Sequence, residues 1–141
     1  MNKRRLIGFY RRIIGFLLLL EILWIFFPLG WHNREITEGA FEWMGAGSIL
    51  PYRISAIVSD LFTVLFFVAY IGLWFLKAWA RLLFLILCLV GAVFLPLYGL
   101  SVLTGYESMI GYIITLGDGF ILCLSYMSPL RKLFRARVMI Q

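Results

Sequence analysis

The chain has 141 residues, of which 63% are hydrophobic and only 14% charged, with a formal net charge of +6. A soluble domain carries about 25% charged residues, so this composition excludes an ordinary water-coated fold and implies lipid as the solvent. The length allows one compact bundle and no second domain, and the cations lie beside apolar runs with no zinc-finger, helix-turn-helix or aromatic-basic pattern, which argues against nucleic acid as a partner.

Residues 1–12 are basic, with Lys3, Arg4, Arg5, Arg11 and Arg12 placed to meet anionic lipid headgroups. The first apolar run follows over residues 13–31, long enough as a helix to rise about 28 Å, close to the hydrocarbon thickness. It differs from a cleaved signal sequence because Glu21 interrupts it, Trp24 and Pro28 crowd its end, and no A-x-A site follows. Residues 32–53 form the one long loop. Ile36, Ala40, Trp43 and Met44 recur there at helical spacing with Glu35, Glu38 and Glu42 opposite, the pattern of a short interfacial helix that Asn33 caps. An irregular loop with some helical turns is the alternative.

The second run covers residues 54–76, with Pro51 at its start, where a missing N–H costs nothing. Lys77 to Arg81 is a tight basic hinge. The third run, 82–103, contains Pro96, which predicts a kink. After a short turn the fourth run covers 108–128, and Pro129 opens a basic tail, 129–141, with Arg131, Lys132, Arg135 and Arg137. Of the 13 Lys and Arg, all except Arg34 and Arg53 lie at the N-terminus, the hinge or the tail, which places both termini in the cytoplasm. Lys77, Arg81 and the tail cations join the N-terminal set as expected headgroup contacts. Trp31, Tyr52, Trp79 and Tyr106 fall at expected interfaces.

Three spans carry an acid within the apolar stretch: Glu21, Asp60 and Asp118. Ionisable residues at bilayer depth mark function by default. If the helices bring the three to one level, they cannot all carry charge in a low-dielectric interior, and a proton or bound cation compensates them. The structural alternative is three neutral acids, each hydrogen-bonded and fixing helix register, with Arg53 as a partner for Asp60. On the fourth span Gly111, Thr115, Asp118, Leu122 and Ser125 form one stripe suited to close helix contact, and Gly117 and Gly119 flank Asp118. Ser55, Ser59 and Thr63 do the same on the second span.

Cys88 and Cys123 lie inside apolar runs at similar depth and form no C-x-x-C pair, so they read as small buried hydrophobes. His32 is the single histidine, which excludes bis-histidine haem ligation and a histidine-based zinc site. No metal or other cofactor is expected. No Ser-His or Ser-Lys pairing lies within the spans, so an intramembrane serine protease is not expected. A lipid-modifying enzyme would have only the 32–53 loop with His32 for its chemistry.

In size, span count and the acid at Glu21, the chain resembles the small multidrug resistance transporters. It departs from them in its one-sided charge distribution and its long outer loop. The ending Leu124-Ser125-Tyr126-Met127-Ser128-Pro129-Leu130-Arg131-Lys132-Leu133-Phe134, with the Lys77-Ala78-Trp79-Ala80-Arg81 hinge, resembles small four-span bacterial inner-membrane proteins of unassigned function. That resemblance implies fold and location.

The sequence therefore predicts an all-α polytopic protein: a left-handed, up-down bundle of four transmembrane helices in a bacterial inner membrane. The leading functional expectation is a non-enzymatic accessory, assembly or interaction subunit, partnered by another membrane protein or by copies of itself. The alternative is a small proton- or cation-coupled transporter or homo-oligomeric pore that uses Glu21, Asp60 and Asp118.

Overall fold

Helix α1 (Lys3–Phe26) starts well before the first apolar run, so the basic N-terminal segment is itself helical. Arg and Lys are good helix formers, and Leu6, Ile7 and Tyr10 extend the apolar face of the span into that segment. The computed structural model describes residues 3–26, 48–49, 51–97, 105–127, 129–131 and 134. The end of the first run, the interfacial-helix segment with Asn33 and His32, and Lys132, Arg135 and Arg137 lie outside the described residues.

Helix α2 (Tyr52–Trp74) follows Pro51, and helix α3 (Ala78–Phe94) follows after a three-residue link, Phe75–Lys77. The link is tight because Leu76 takes a positive φ of 55°. The Leu76 N–H donates to the Leu73 carbonyl and the Lys77 N–H to the Gly72 carbonyl, both at 2.9 Å. These are the paired bonds of a Schellman cap, with leucine where glycine is usual. The hinge thus ends at Lys77, and Arg81 belongs to the first turn of α3.

The third run departs from expectation just before Pro96, and its last residues, 98–103, lie outside the described residues. A kinked helix to residue 103 is expected, but α3 stops at Phe94 and passes into a single 3-10 turn, Leu95–Leu97. Pro96 has no N–H, and its ring crowds the carbonyl four residues earlier, so the α-helical ladder ends there. The Leu97 carbonyl accepts from the Ile49 N–H at 3.2 Å and the Ser48 hydroxyl at 3.1 Å, which fastens the chain before α2 to the end of α3. Helix α4 (Gly105–Met127) completes the fold.

The fold class is all-α, with four α-helices and no strand among the described residues. Helix α2 packs chiefly on α3, and α1 chiefly on α4. Within α2, Arg53–Trp74 is long and apolar enough to cross a membrane, and so is α4, whereas α3 is apolar but has 17 residues. Little of α2 or α4 is covered by protein: Ile57 is 68% exposed, Tyr112 73% and Leu116 75%. Soluble bundles hide such side chains.

Aromatic rings fill the contact between α2 and α3. Phe66 meets Phe84 edge-on at 5.8 Å, and Tyr70 lies 5.2 Å from Phe84. A β-carbon on Gly72 would stand 2.5 Å from that of Ala80, so the Ala80 methyl packs directly on the bare backbone of Gly72 beside the link. The chain after α4 is no free tail at its start. Leu130 and Phe134 are fully buried, and the Phe134 ring stands edge-on to Tyr10 at 6.2 Å.

Candidate functional site

The contact between α1 and α4 positions two of the three span acids. On α1 the side chains turned inward are Tyr10, Ile14, Leu17, Glu21 and Trp24, separated by alternating steps of four and three. On α4 they are Gly111, Ile114, Asp118, Ile121 and Ser125 at the complementary steps. This is a heptad seam between antiparallel helices. Three contacts fix its register. Tyr10 and Ser125 share a hydrogen bond of 2.8 Å. Leu17 occupies the notch left by Gly117, where an added β-carbon would lie 2.4 Å from its Cδ2. Trp24 covers Gly111, with ring atoms 3.3 Å from where a β-carbon would be.

Glu21 and Asp118 both occupy inward positions of this seam. Interpolating between the Leu17 and Trp24 contacts sets them about one helical turn, or 6 Å, apart along the axis. Each is half-buried, and Asp118 acts electrostatically on Glu21. From α2, the fully buried Tyr70 donates its phenolic hydroxyl to Asp118 Oδ1. Phe66 and Phe84 hold the Tyr70 ring in place. From α3, half-buried Cys88 is also within electrostatic reach of Asp118. Glu21, Tyr70, Cys88 and Asp118 thus bring a titratable side chain from each of the four helices to this cluster. Among the described residues no cluster of His, Cys, Asp and Glu is arranged to hold a metal ion.

Asp60 is elsewhere. It is exposed on α2, ten residues before Tyr70 and therefore about 15 Å away along the axis. Arg53 is exposed as well. The expected trio becomes a pair plus a tyrosine. Tyr70 escapes a reading that scores tyrosine as an interfacial aromatic. The available signal was Asp118 itself, since a carboxyl in an apolar span needs a donor, and Tyr70 is one of four hydroxyl-bearing residues on the second span, with Ser55, Ser59 and Thr63.

The expected contact stripes hold in part. Gly111 and Ser125 face α1, but Thr115 is exposed and donates to the Gly111 carbonyl of its own helix at 2.8 Å. On α2, Thr63 likewise donates to the Ser59 carbonyl at 3.0 Å, Ser59 is exposed and Ser55 is half-buried. Hydroxyls that bond back one turn need no partner across an interface. The inward face of α2 is instead built by Phe62, Phe66, Ala69, Tyr70 and Leu73. Gly119, unlike Gly117, faces open space.

Two expected headgroup contacts turn inward. Arg81 donates from Nη1 to the Ser125 carbonyl at 3.3 Å, its guanidinium lies 4.4 Å over the Tyr126 ring, and its own carbonyl accepts from the Tyr126 hydroxyl at 3.3 Å. Arg11 donates from Nε to the Trp74 carbonyl at 3.2 Å, serving a carbonyl that the end of α2 leaves open. These arginines tie helices together because their forked donors match free carbonyls at the basic end. Arg4, Arg5, Arg12, Lys77 and Arg131 are exposed, and Lys3 opens α1. Cys88 and Cys123 are free thiols, and Cys123, expected to be buried, is exposed with its sulfur 3.7 Å from that of Met127. Trp79 and Tyr106 are exposed at the ends of α3 and α4.

No protein-family profile, curated protein or solved structure matches the chain.

Proposed function

We propose that the chain is a four-span protein of a bacterial inner membrane with both termini cytoplasmic, and that its interior acid pair serves a small proton- or cation-coupled transporter or pore. The observation that carries this reading is the placement of Glu21 and Asp118 on one interhelical seam, with Tyr70 closing on Asp118 from a third helix. Two carboxyls at that depth need a compensating cation, the smallest being a proton. Length is compatible with four spans, since α3 with its 3-10 extension rises about 31 Å. The basic residues at one end supply the orientation.

The test is proton flux into dye-loaded proteoliposomes. Wild type should exceed empty vesicles. Glu21→Gln and Asp118→Asn should each lower the flux by about ten-fold, and Asp60→Asn should leave it within about two-fold. Wild-type flux equal to that of empty vesicles, or flux indifferent to Glu21 and Asp118, removes the reading.

A second reading, an accessory or interaction subunit, draws on a different observation. Ser59 and Asp60 are exposed on α2 among exposed Ile57, Leu61 and Val64. Polar groups on an otherwise lipid-facing surface favour cover by another helix. Gly111 and Gly117 of α4 do not favour this reading, because Trp24 and Leu17 of the same chain fill them. Purification in mild detergent tests it: a co-purifying partner or an oligomer that Asp60→Leu disrupts supports it, and a partner-free monomer removes it.

A further inference from the structure

Between α1 and α2 runs an apolar groove of about 490 Å³, lined by Gly15, Leu18, Leu19 and Ile22 on one side and Trp74 and Phe75 on the other. Its volume falls within the range of small-molecule sites, about 300–1,000 Å³. The helices approach closely at its floor, where a β-carbon on Gly15 would lie 3.2 Å from the Trp74 ring. Its walls are open: Leu19 and Phe75 are each 53% exposed. At one end the groove meets cations. Arg11 closes that end by bonding the Trp74 carbonyl. Arg12 stands one turn before Gly15, Lys77 three residues after Trp74, and both are exposed. No Asp or Glu occurs in residues 1–20 or 61–106, so nothing local offsets this charge.

We propose that this groove binds an anionic phospholipid, an acyl chain lying against Leu19 and Ile22 and the phosphate held between Arg12 and Lys77. Charge and shape identify the occupant together. An apolar slot alone accepts any chain, and surface cations alone attract any anion. A slot with two exposed cations beyond the same end, and a third already committed to the backbone there, selects a molecule with an acyl chain and a negative head. This inference rests on the membrane-spanning reading above.

Trp74 in the groove wall provides the test. In a variant retaining only this tryptophan, reconstituted into phosphatidylcholine bilayers, quenching by brominated phosphatidylglycerol is compared with quenching by brominated phosphatidylcholine. The expected result is a preference for phosphatidylglycerol of about five-fold or more, the effect of one well-placed basic residue. Arg12→Gln with Lys77→Gln should abolish that preference. Arg4→Gln with Arg131→Gln, which removes the same charge outside the groove, should preserve it. Equal quenching by the two lipids, or equal loss in both double variants, overturns the proposal and identifies the occupant as ordinary boundary lipid drawn by net charge. Quenching at a Trp79-only variant but not at Trp74 overturns it in favour of a second protein chain over the groove. Quenching at neither position places the failure in the membrane reading itself.

Discussion

Asp118 and Asp60 are both aspartates in apolar helices, and the fold treats them in opposite ways. Asp118 sits on the seam between α1 and α4, half-buried, with the Tyr70 hydroxyl on one oxygen and Glu21 about a turn away. Asp60 lies on the outer surface of α2 beside Ser59. Depth along a helix therefore does not by itself define a site. Which face carries the residue, and what stands across from that face, decides whether an acid becomes part of an internal network.

The two glycines beside Asp118 sharpen this contrast most. Gly117→Leu pushes into Leu17 and should cost about 3 kcal/mol by forcing α1 and α4 apart, whereas Gly119→Leu points into open space and should stay within about 0.5 kcal/mol. Reversible unfolding in mixed micelles reads both, and equal costs would contradict the seam. Next comes Tyr70→Phe, which leaves Asp118 without its donor and should cost about 2 kcal/mol. Tyr10→Phe removes the partner of the buried Ser125 hydroxyl and should cost about 1 kcal/mol. The smallest effect belongs to Asp60→Asn, within about 0.5 kcal/mol for the isolated chain. A cost at Asp60 matching that at Tyr70 would break the contrast.

Much of this layout is legible in the chain. Gly111, Asp118 and Ser125 of the expected stripe mark the inward face of α4, with Ile114 and Ile121 in place of Thr115 and Leu122, and four apolar runs separated by cations and Pro or Gly give the four helices. What escaped has physical causes. The apolar run starts at residue 13, but arginine is a good helix former, so α1 begins at Lys3. Pro96 was expected to bend α3, but at Phe94 the helix ends in a 3-10 turn whose Leu97 carbonyl Ser48 and Ile49 satisfy. Thr63 and Thr115 looked like interhelical donors, yet each bonds to its own helix. Arg11 and Arg81 resemble the lipid-facing cations in sequence, but their roles depend on carbonyls that only the tertiary fold brings near. Tyr70 could not be told from the other aromatics of its span without knowing that α2 faces Asp118.

The most direct measurement of the shared seam is a double-mutant cycle on Glu21→Gln and Asp118→Asn, read as unfolding free energy in mixed micelles, beside the same cycle for Glu21→Gln and Asp60→Asn. The first pair should show a coupling of about 1 kcal/mol or more, and the second should be additive within about 0.3 kcal/mol. Additivity in the first cycle, or equal coupling in both, would contradict an acid pair joined inside the bundle.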